Sequence, residues 1–429
     1  MRSRLYAAAL SSVFLFLFIW CPLVYILNKT GAVKITEIEN SRPAERVYEN
    51  GILSGFLNQI ETGKAKLDNL YTNYLPLYSE IVTVLGSVNT DMQMSFSDML
   101  AKKTKNPQKN EKSPEEEKTE FSAVMLIDDG LHRYYAIRPF DFIDTALSFS
   151  EDTLFANMDT QIGHINRIGA ATAGMGASFY LYVGKRMQDA EYFSEIIPAE
   201  KSTAPYFREF MDRIKETNGK CALNVDTLEK RLENIFRTDH HWSALGAYSG
   251  YCDIINMINK NSPEIGPPVP LSGLIAYESV NMRGSASRIS SFPRFTETFS
   301  VMDIKLPAGH QQFRVTDNAG KYEKGSFDKS MYADHYALYY NYKSEYIYPE
   351  NKTGRNLLII GDSFTWWSSW LIAANFDRTY VYYPWDRKKL DYGGFIEENG
   401  ITDVLMMLFS DRAMFNIYGD CPLENIKTE

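Results

Sequence analysis

Ser363 follows the apolar run Leu357-Leu358-Ile359-Ile360 and the pair Gly361-Asp362, and it precedes a stretch of aromatics and helix formers. The pattern predicts a buried strand that turns into a helix at the serine. At such a turn the hydroxyl emerges at the carboxyl edge of a parallel sheet, where α/β proteins bind ligands. The first amides of the helix then point at any oxyanion formed there. A serine nucleophile needs a base, and histidine suits because it titrates near neutral pH. The chain has six histidines, none after Ser363, so a base must come from His132, His164, His240, His241, His310 or His335. Among these, Arg237-Thr238-Asp239-His240-His241-Trp242 places an acid two residues before a histidine, at the mouth of a helix that Ser243 can cap. The apolar stripe of that helix reads Leu245, Tyr248, Cys252, Ile255, Ile258. On an extended segment residues two apart share a side, so Asp239 and His241 are expected to face each other and His240 to face away. Asp239 would then accept the Nδ1 proton and leave Nε2 of His241 for the serine hydroxyl. The same residues also have a bland reading, with Ser363 and Asp239 as helix caps and His241 and Trp242 as packing. Pairing of the Asp-x-His segment with a strand-end serine favours the chemistry. A metal site on Asp239, His240 and His241 is disfavoured because adjacent side chains diverge, and neither metal nor cofactor is expected.

The elements that must position these residues are legible as apolar runs alternating with helical patterns. Strands are expected at 122–127, 178–183, within 356–363, at 380–383 and at 403–408. Helices are expected over 153–173, from Ser363 through 376, and around 395–399. Strand-helix alternation of this kind implies parallel pairing, so the predicted fold is a three-layer α/β/α sandwich about a mostly parallel sheet, spanning 121–429. A Tyr- and Pro-rich insertion at about 262–345 should lie beside the active face. Upstream, 31–100 reads as a helical stalk or cover. The stretch 101–120 carries both charges and almost no aliphatic residue, as expected of a disordered linker.

The segment 5–27 is uncharged and long enough to cross a bilayer as a helix. Arg2 and Arg4 precede it, so the positive-inside rule predicts a signal anchor over 1–30 with the rest of the chain extracytoplasmic. The small residues Thr30-Gly31-Ala32 leave cleavage as a competing reading. A net charge of −9 and the lack of a basic stripe argue against a nucleic-acid partner. Cys21, Cys221, Cys252 and Cys421 are too few and too scattered for a disulfide scaffold or a zinc site. A Cys221–Cys252 bridge, a Cys252–Cys421 bridge and three free thiols all stay open.

Thr-Asp-His-His-Trp followed by a small-residue helix, and then Gly-Asp-Ser-Phe after an apolar strand, resemble the DHHW family. That family is itself similar to the SGNH-hydrolase-like domains of the alginate O-acetylation proteins. The resemblance spans most of 120–415 and implies Asp239, His241 and Ser363 as catalytic residues, in the order Asp-x-His-Trp before Gly-Asp-Ser. It also implies that Arg283-Gly284-Ser285 lies near the active face. Arg283, Ser285, His240, Trp242 and Asp362 are the candidates for supporting the triad, with His240 open to a purely structural reading. Ser363's own amide would be the first oxyanion donor. The second is unassigned, because Ser410-Asp411-Arg412 stand where an SGNH enzyme presents an Asn. The implied activity is transfer or removal of acetyl groups on cell-envelope polysaccharide, with a multi-pass membrane O-acyltransferase as acetyl donor. The alternative is a non-catalytic glycan-binding or scaffold protein, which the missing Asn favours. For sugar stacking, Trp385, Tyr339, Tyr340 and Tyr342 are the expected platforms, whereas Trp366 and Trp370, four apart, should be core.

Overall fold

The computed structural model describes residues 150–193, 202–289, 296–307, 334–340, 343–386, 389–417 and 419–428, a few positions between 310 and 325, and the backbone of three strands within 122–147. The expected anchor, stalk and linker lie outside the described residues. Among those described, no helix is long and apolar enough to cross a membrane. The chain divides into two compact units, and one of them, Phe96–Ser290 with Phe295–Phe327 and His335–Glu429, contains every element below. Of the other unit only Asp334 is described.

In chain order the strands are β1 (Ser122–Asp128), β2 (His132–Arg138), β3 (Phe142–Leu147), β4 (Ser178–Gly184), β5 (Gly219–Ala222), β6 (Gly273–Met282), β7 (Glu297–Asp303), β8 (Glu345–Ile347), β9 (Asn356–Gly361), β10 (Arg378–Tyr382), β11 (Leu390–Asp391), β12 (Asp403–Phe409) and β13 (Ile426–Lys427). The α-helices are α1 (Glu151–Gly174), α2 (Ala204–Arg213), α3 (Leu228–Asn234), α4 (Ala244–Asn259), α5 (Ser285–Ile289), α6 (His335–Tyr339), α7 (Ser369–Ala373), α8 (Tyr392–Glu398) and α9 (Ser410–Met414).

The central sheet runs β5-β4-β12-β9-β10-β8 and is parallel except for the edge strand β8. Both faces are covered, which is why its strands read as unbroken apolar runs. The two-residue period divides them between two cores. Tyr180, Tyr182, Leu357, Ile359, Leu405 and Met407 pack with α4, whereas Phe179, Leu181, Val183, Leu358, Ile360, Met406 and Leu408 pack with α1. Register pairs Phe409 with Gly184 and Met407 with Gly361, so β4, β12 and β9 end together at one edge, immediately before Ser363.

Three expectations need correction. The apolar run at 122–127 does not join the parallel sheet: β1, β2 and β3 form a separate antiparallel sheet. Only Asp129, Gly130 and Leu131 separate β1 from β2, too few for the crossover that parallel strands require. After Ser363 the chain makes a 3-10 turn, Ser363–Trp367, and only then α7, rather than one long helix. Asp362 holds the tight turn by accepting from the Phe364 amide, while the Thr365 hydroxyl donates back to the Asp362 carbonyl. The buried face of α4 includes Ala244, Ala247, Gly250, Tyr251 and Ile254; Ile255 and Ile258 are buried as expected, while Leu245, Tyr248 and Cys252 give way to the residues one position before them. The small-residue face is the inward one because the Trp242 ring and the Tyr182 hydroxyl stand where a side chain at Gly250 would go.

Candidate active site

The bend between α3 and α4 is closed by an isolated bridge between Ile235 and Trp242, with the Phe236 amide donating to the His241 carbonyl at 3.1 Å. Its apex therefore projects Thr238, Asp239 and His240. The segment is not extended, and Asp239 meets His241 for a different reason than alternation. The Asp239 carboxylate folds back over the bend, its Oδ1 accepting both the His241 amide at 2.9 Å and His241 Nδ1 at 2.6 Å. An ionised carboxylate only accepts, so Nδ1 carries the proton and Nε2 is the acceptor. Nε2 lies 2.7 Å from Ser363 Oγ, across a separation of 122 residues.

Four groups hold the bend. Glu297, at the start of β7, accepts from the Arg237 amide (2.7 Å), the Thr238 amide (2.8 Å) and the Thr238 hydroxyl (2.6 Å). Burial pushes the Glu297 carboxyl up, against the pull of those donors and of Arg231. Arg231, itself buried, donates to the carbonyls of Ile235 and Phe236. The Gly284 amide donates to Thr238 Oγ1 at 2.9 Å, and the Ser285 amide to Asp239 Oδ2 at 2.6 Å. Gly284 lies so close to Asp239 and the Thr238 carbonyl that a Cβ there would collide with them.

The serine side is equally constrained. Asp362 is buried, and its second oxygen accepts from the Phe409 amide at 2.7 Å, tying the turn to the end of β12. Burial pushes its carboxyl up, opposed by the Arg412 guanidinium and by the Phe409 and Phe364 amides. Arg412 itself lies 3.7 Å from Asp362 and pairs with Asp420. Tyr336, from α6, joins the two halves: its ring stacks on the His241 imidazole at 3.9 Å and 15°, and its hydroxyl donates to the Ser363 carbonyl at 2.9 Å. Trp242, fully buried, donates from Nε1 to that hydroxyl at 3.2 Å and packs against Phe364.

No family model matches the sequence, and no curated protein matches it. Solved structures do. The chain shares its fold with PatB1 of Bacillus cereus. That likeness has a TM-score of 0.51 at 16% identity and covers 68% of this chain and 97% of PatB1. A DHHW family protein from Eubacterium siraeum (TM-score 0.49, 17% identity, 71% of this chain and 98% of that one) is also similar. So is the O-acetyltransferase domain of Pseudomonas putida AlgJ (TM-score 0.41, 12% identity, 69% and 98%).

Of the other residues singled out in the sequence, His240 does not face away. Its ring packs on His241 with centroids 3.9 Å apart, and its Nδ1 lies 2.7 Å from Ser285 Oγ. Asp239, His240 and His241 bring their ligand-type atoms within 4.8 Å of one another, yet the Asp239 oxygens already accept from His241 and Ser285. Arg283 is half-buried between β6 and α5. In the segment Ser410-Asp411-Arg412, Ser410 bonds to Asp189, and Arg412 donates to Asp420 while its guanidinium also lies beside Asp362. Tyr339 and Tyr340 are buried, which removes them as sugar platforms, while Tyr342 lies outside the described residues. Trp370 is core; Trp366 and Trp385 are partly buried and meet edge to face. Cys221, Cys252 and Cys421 are free thiols. Sequence reasoning missed Glu297, Arg231 and Tyr336. Each reaches the site only through tertiary contact, and Tyr336 is one of 28 tyrosines with no local mark.

Proposed function

We propose that the protein is an extracytoplasmic serine O-acetyltransferase or acetylesterase that acts on cell-envelope polysaccharide through an acyl-serine at Ser363. The observation that carries the reading is the continuous hydrogen-bonded chain from Asp239 Oδ1 through the His241 imidazole to Ser363 Oγ, with links of 2.6 and 2.7 Å. In the first half-reaction Ser363 Oγ adds to the acyl carbonyl while its proton passes to His241 Nε2. Asp239 stabilises the imidazolium and keeps the ring oriented, and the leaving group takes the proton as the acyl-serine forms. A hydroxyl of the acceptor, or water, then repeats the sequence in reverse. The Ser363 amide opens the 3-10 turn, where a first amide has no acceptor within the turn, so it suits the developing oxyanion. Resemblance of the Thr-Asp-His-His-Trp and Gly-Asp-Ser-Phe segments to the DHHW family supports acetyl as the group and a glycan as acceptor. The uncharged segment 5–27 supports a membrane-anchored, extracytoplasmic location, and a multi-pass acyltransferase fits as donor.

Treating the protein with a fluorophosphonate or an activated acetyl ester, then analysing peptides by mass, tests the reading. An adduct on the peptide containing Ser363, absent from Ser363→Ala, is expected. A folded protein that stays unmodified there would leave the non-catalytic glycan-binding reading in its place.

A further inference from the structure

We infer that Tyr336 stabilises the charge that forms on His241, its ring acting as a face-on partner for the imidazolium. The inference rests on the acyl-serine reading above and deepens it. When Ser363 Oγ bonds to the acyl carbon, its proton moves to Nε2 and the ring becomes cationic. The groups around that ring are then decisive. Asp239 Oδ1 holds Nδ1 in the ring plane at 2.6 Å, and Ser363 Oγ lies at Nε2. One face carries the Tyr336 ring, 3.9 Å away and nearly parallel at 15°. The His240 ring packs at 3.9 Å with a tilt of 38°, and the Phe364 ring lies at 5.5 Å. His335, beside Tyr336 on α6, is engaged with the Tyr322 hydroxyl instead. Among these groups only Asp239 is anionic, and it acts in the plane of the imidazole. The electron-rich face of Tyr336 supplies the out-of-plane attraction, at a separation well inside the roughly 6 Å range of cation–π contacts.

The tyrosine is built to stay there. Its ring also stacks on Trp367 at 4.9 Å and 3°, and Trp367 Nε1 donates to its carbonyl at 3.0 Å. The phenol hydroxyl is committed to the Ser363 carbonyl and to Trp242 Nε1. The hydroxyl thus fixes the nucleophile turn and the ring serves the base, two roles that separate variants can report. Tyr336 is a positioning and charge-stabilising residue acting through His241.

The test follows release of p-nitrophenol from p-nitrophenyl acetate by the full-length protein across roughly pH 5 to 9, where histidines titrate. It compares Tyr336→Phe with the same site carrying pentafluorophenylalanine, a ring of matching shape whose face is electron-poor. Both proteins lose the hydroxyl and both keep His240, so only the ring's electrostatics differ. The fluorinated ring is expected to shift the acid limb of the rate profile to lower pH by about half a unit and to reduce the plateau rate about two- to fivefold relative to Phe. Coincident profiles for the two rings would overturn the inference while leaving the acyl-serine reading intact. Failure of every form, the unsubstituted protein included, to acylate Ser363 would overturn that reading and the inference with it.

Discussion

Asp239 accepts three N–H groups, the His241 amide and Nδ1 on one oxygen and the Ser285 amide on the other, and no neutral side chain can replace it in that role. In Asp239→Asn the amide must turn one NH2 toward a donor. Either it faces His241, which imposes the wrong tautomer, or it faces the Ser285 amide, which opens the Gly284-Ser285 contact. A drop in kcat on the order of 10⁴ is expected in acyl-enzyme formation, with little change in KM. Ser363→Ala removes the attacking atom and should lower the same rate roughly a thousandfold or more while leaving Tm near that of the parent, since Ser363 is only partly buried. The Asp-x-His pair and the strand-end serine were legible at this scale because each has a local signature. The reason for the Asp–His contact was not: it comes from a side chain folding over a bend rather than from alternation along a strand.

At the scale of elements, the bend between α3 and α4 is shaped by strands distant in sequence. Glu297 from β7 and the Gly284-Ser285 amides after β6 hold Thr238 and Asp239 in place. Glu297→Ala leaves three donors without their acceptor and is expected to cost about 2–4 kcal/mol in urea unfolding. It should also slow acylation, because the bend carrying Asp239 and His241 loosens. Gly284→Ala has no space for its methyl and should cost about 1–3 kcal/mol, with a larger proportional loss of acylation than of stability. Loss of stability without loss of acylation in either variant would show that the bend keeps its shape unaided. The helix after Ser363 was expected from its residue types. The 3-10 turn that replaces its start depends on Asp362 bonding to Phe364 and Phe409 together, a contact no window of sequence contains.

On the scale of the whole molecule, the carboxyl ends of β4, β12 and β9 gather buried charge beside the site. Burial by itself would push the Asp189 carboxyl up, but the Arg186 guanidinium and the Ser410 and Thr203 hydroxyls more than offset it and hold it below the usual carboxylate range. A depressed folded-state value means that Asp189 contributes stability above the ordinary aspartate range, and that this contribution is lost as pH falls through the depressed range. Asp189→Asn should therefore cost on the order of 3 kcal/mol at neutral pH, and the difference from the parent should shrink as urea unfolding is repeated at progressively lower pH. A gap that stays constant into acid would show that Asp189 acts by shape and not by charge. Neighbouring positions suffice to specify the apolar runs of the parallel sheet, the capped helix after Trp242 and the residue types able to do serine chemistry. Long-range packing puts β1 to β3 in their own antiparallel sheet, buries Tyr339 and Tyr340, and brings Glu297 and Tyr336 into contact with the residues of the site. Those outcomes depend on which distant segments share a strand edge or a buried face, and burial and hydrogen bonding are settled only when the whole chain packs.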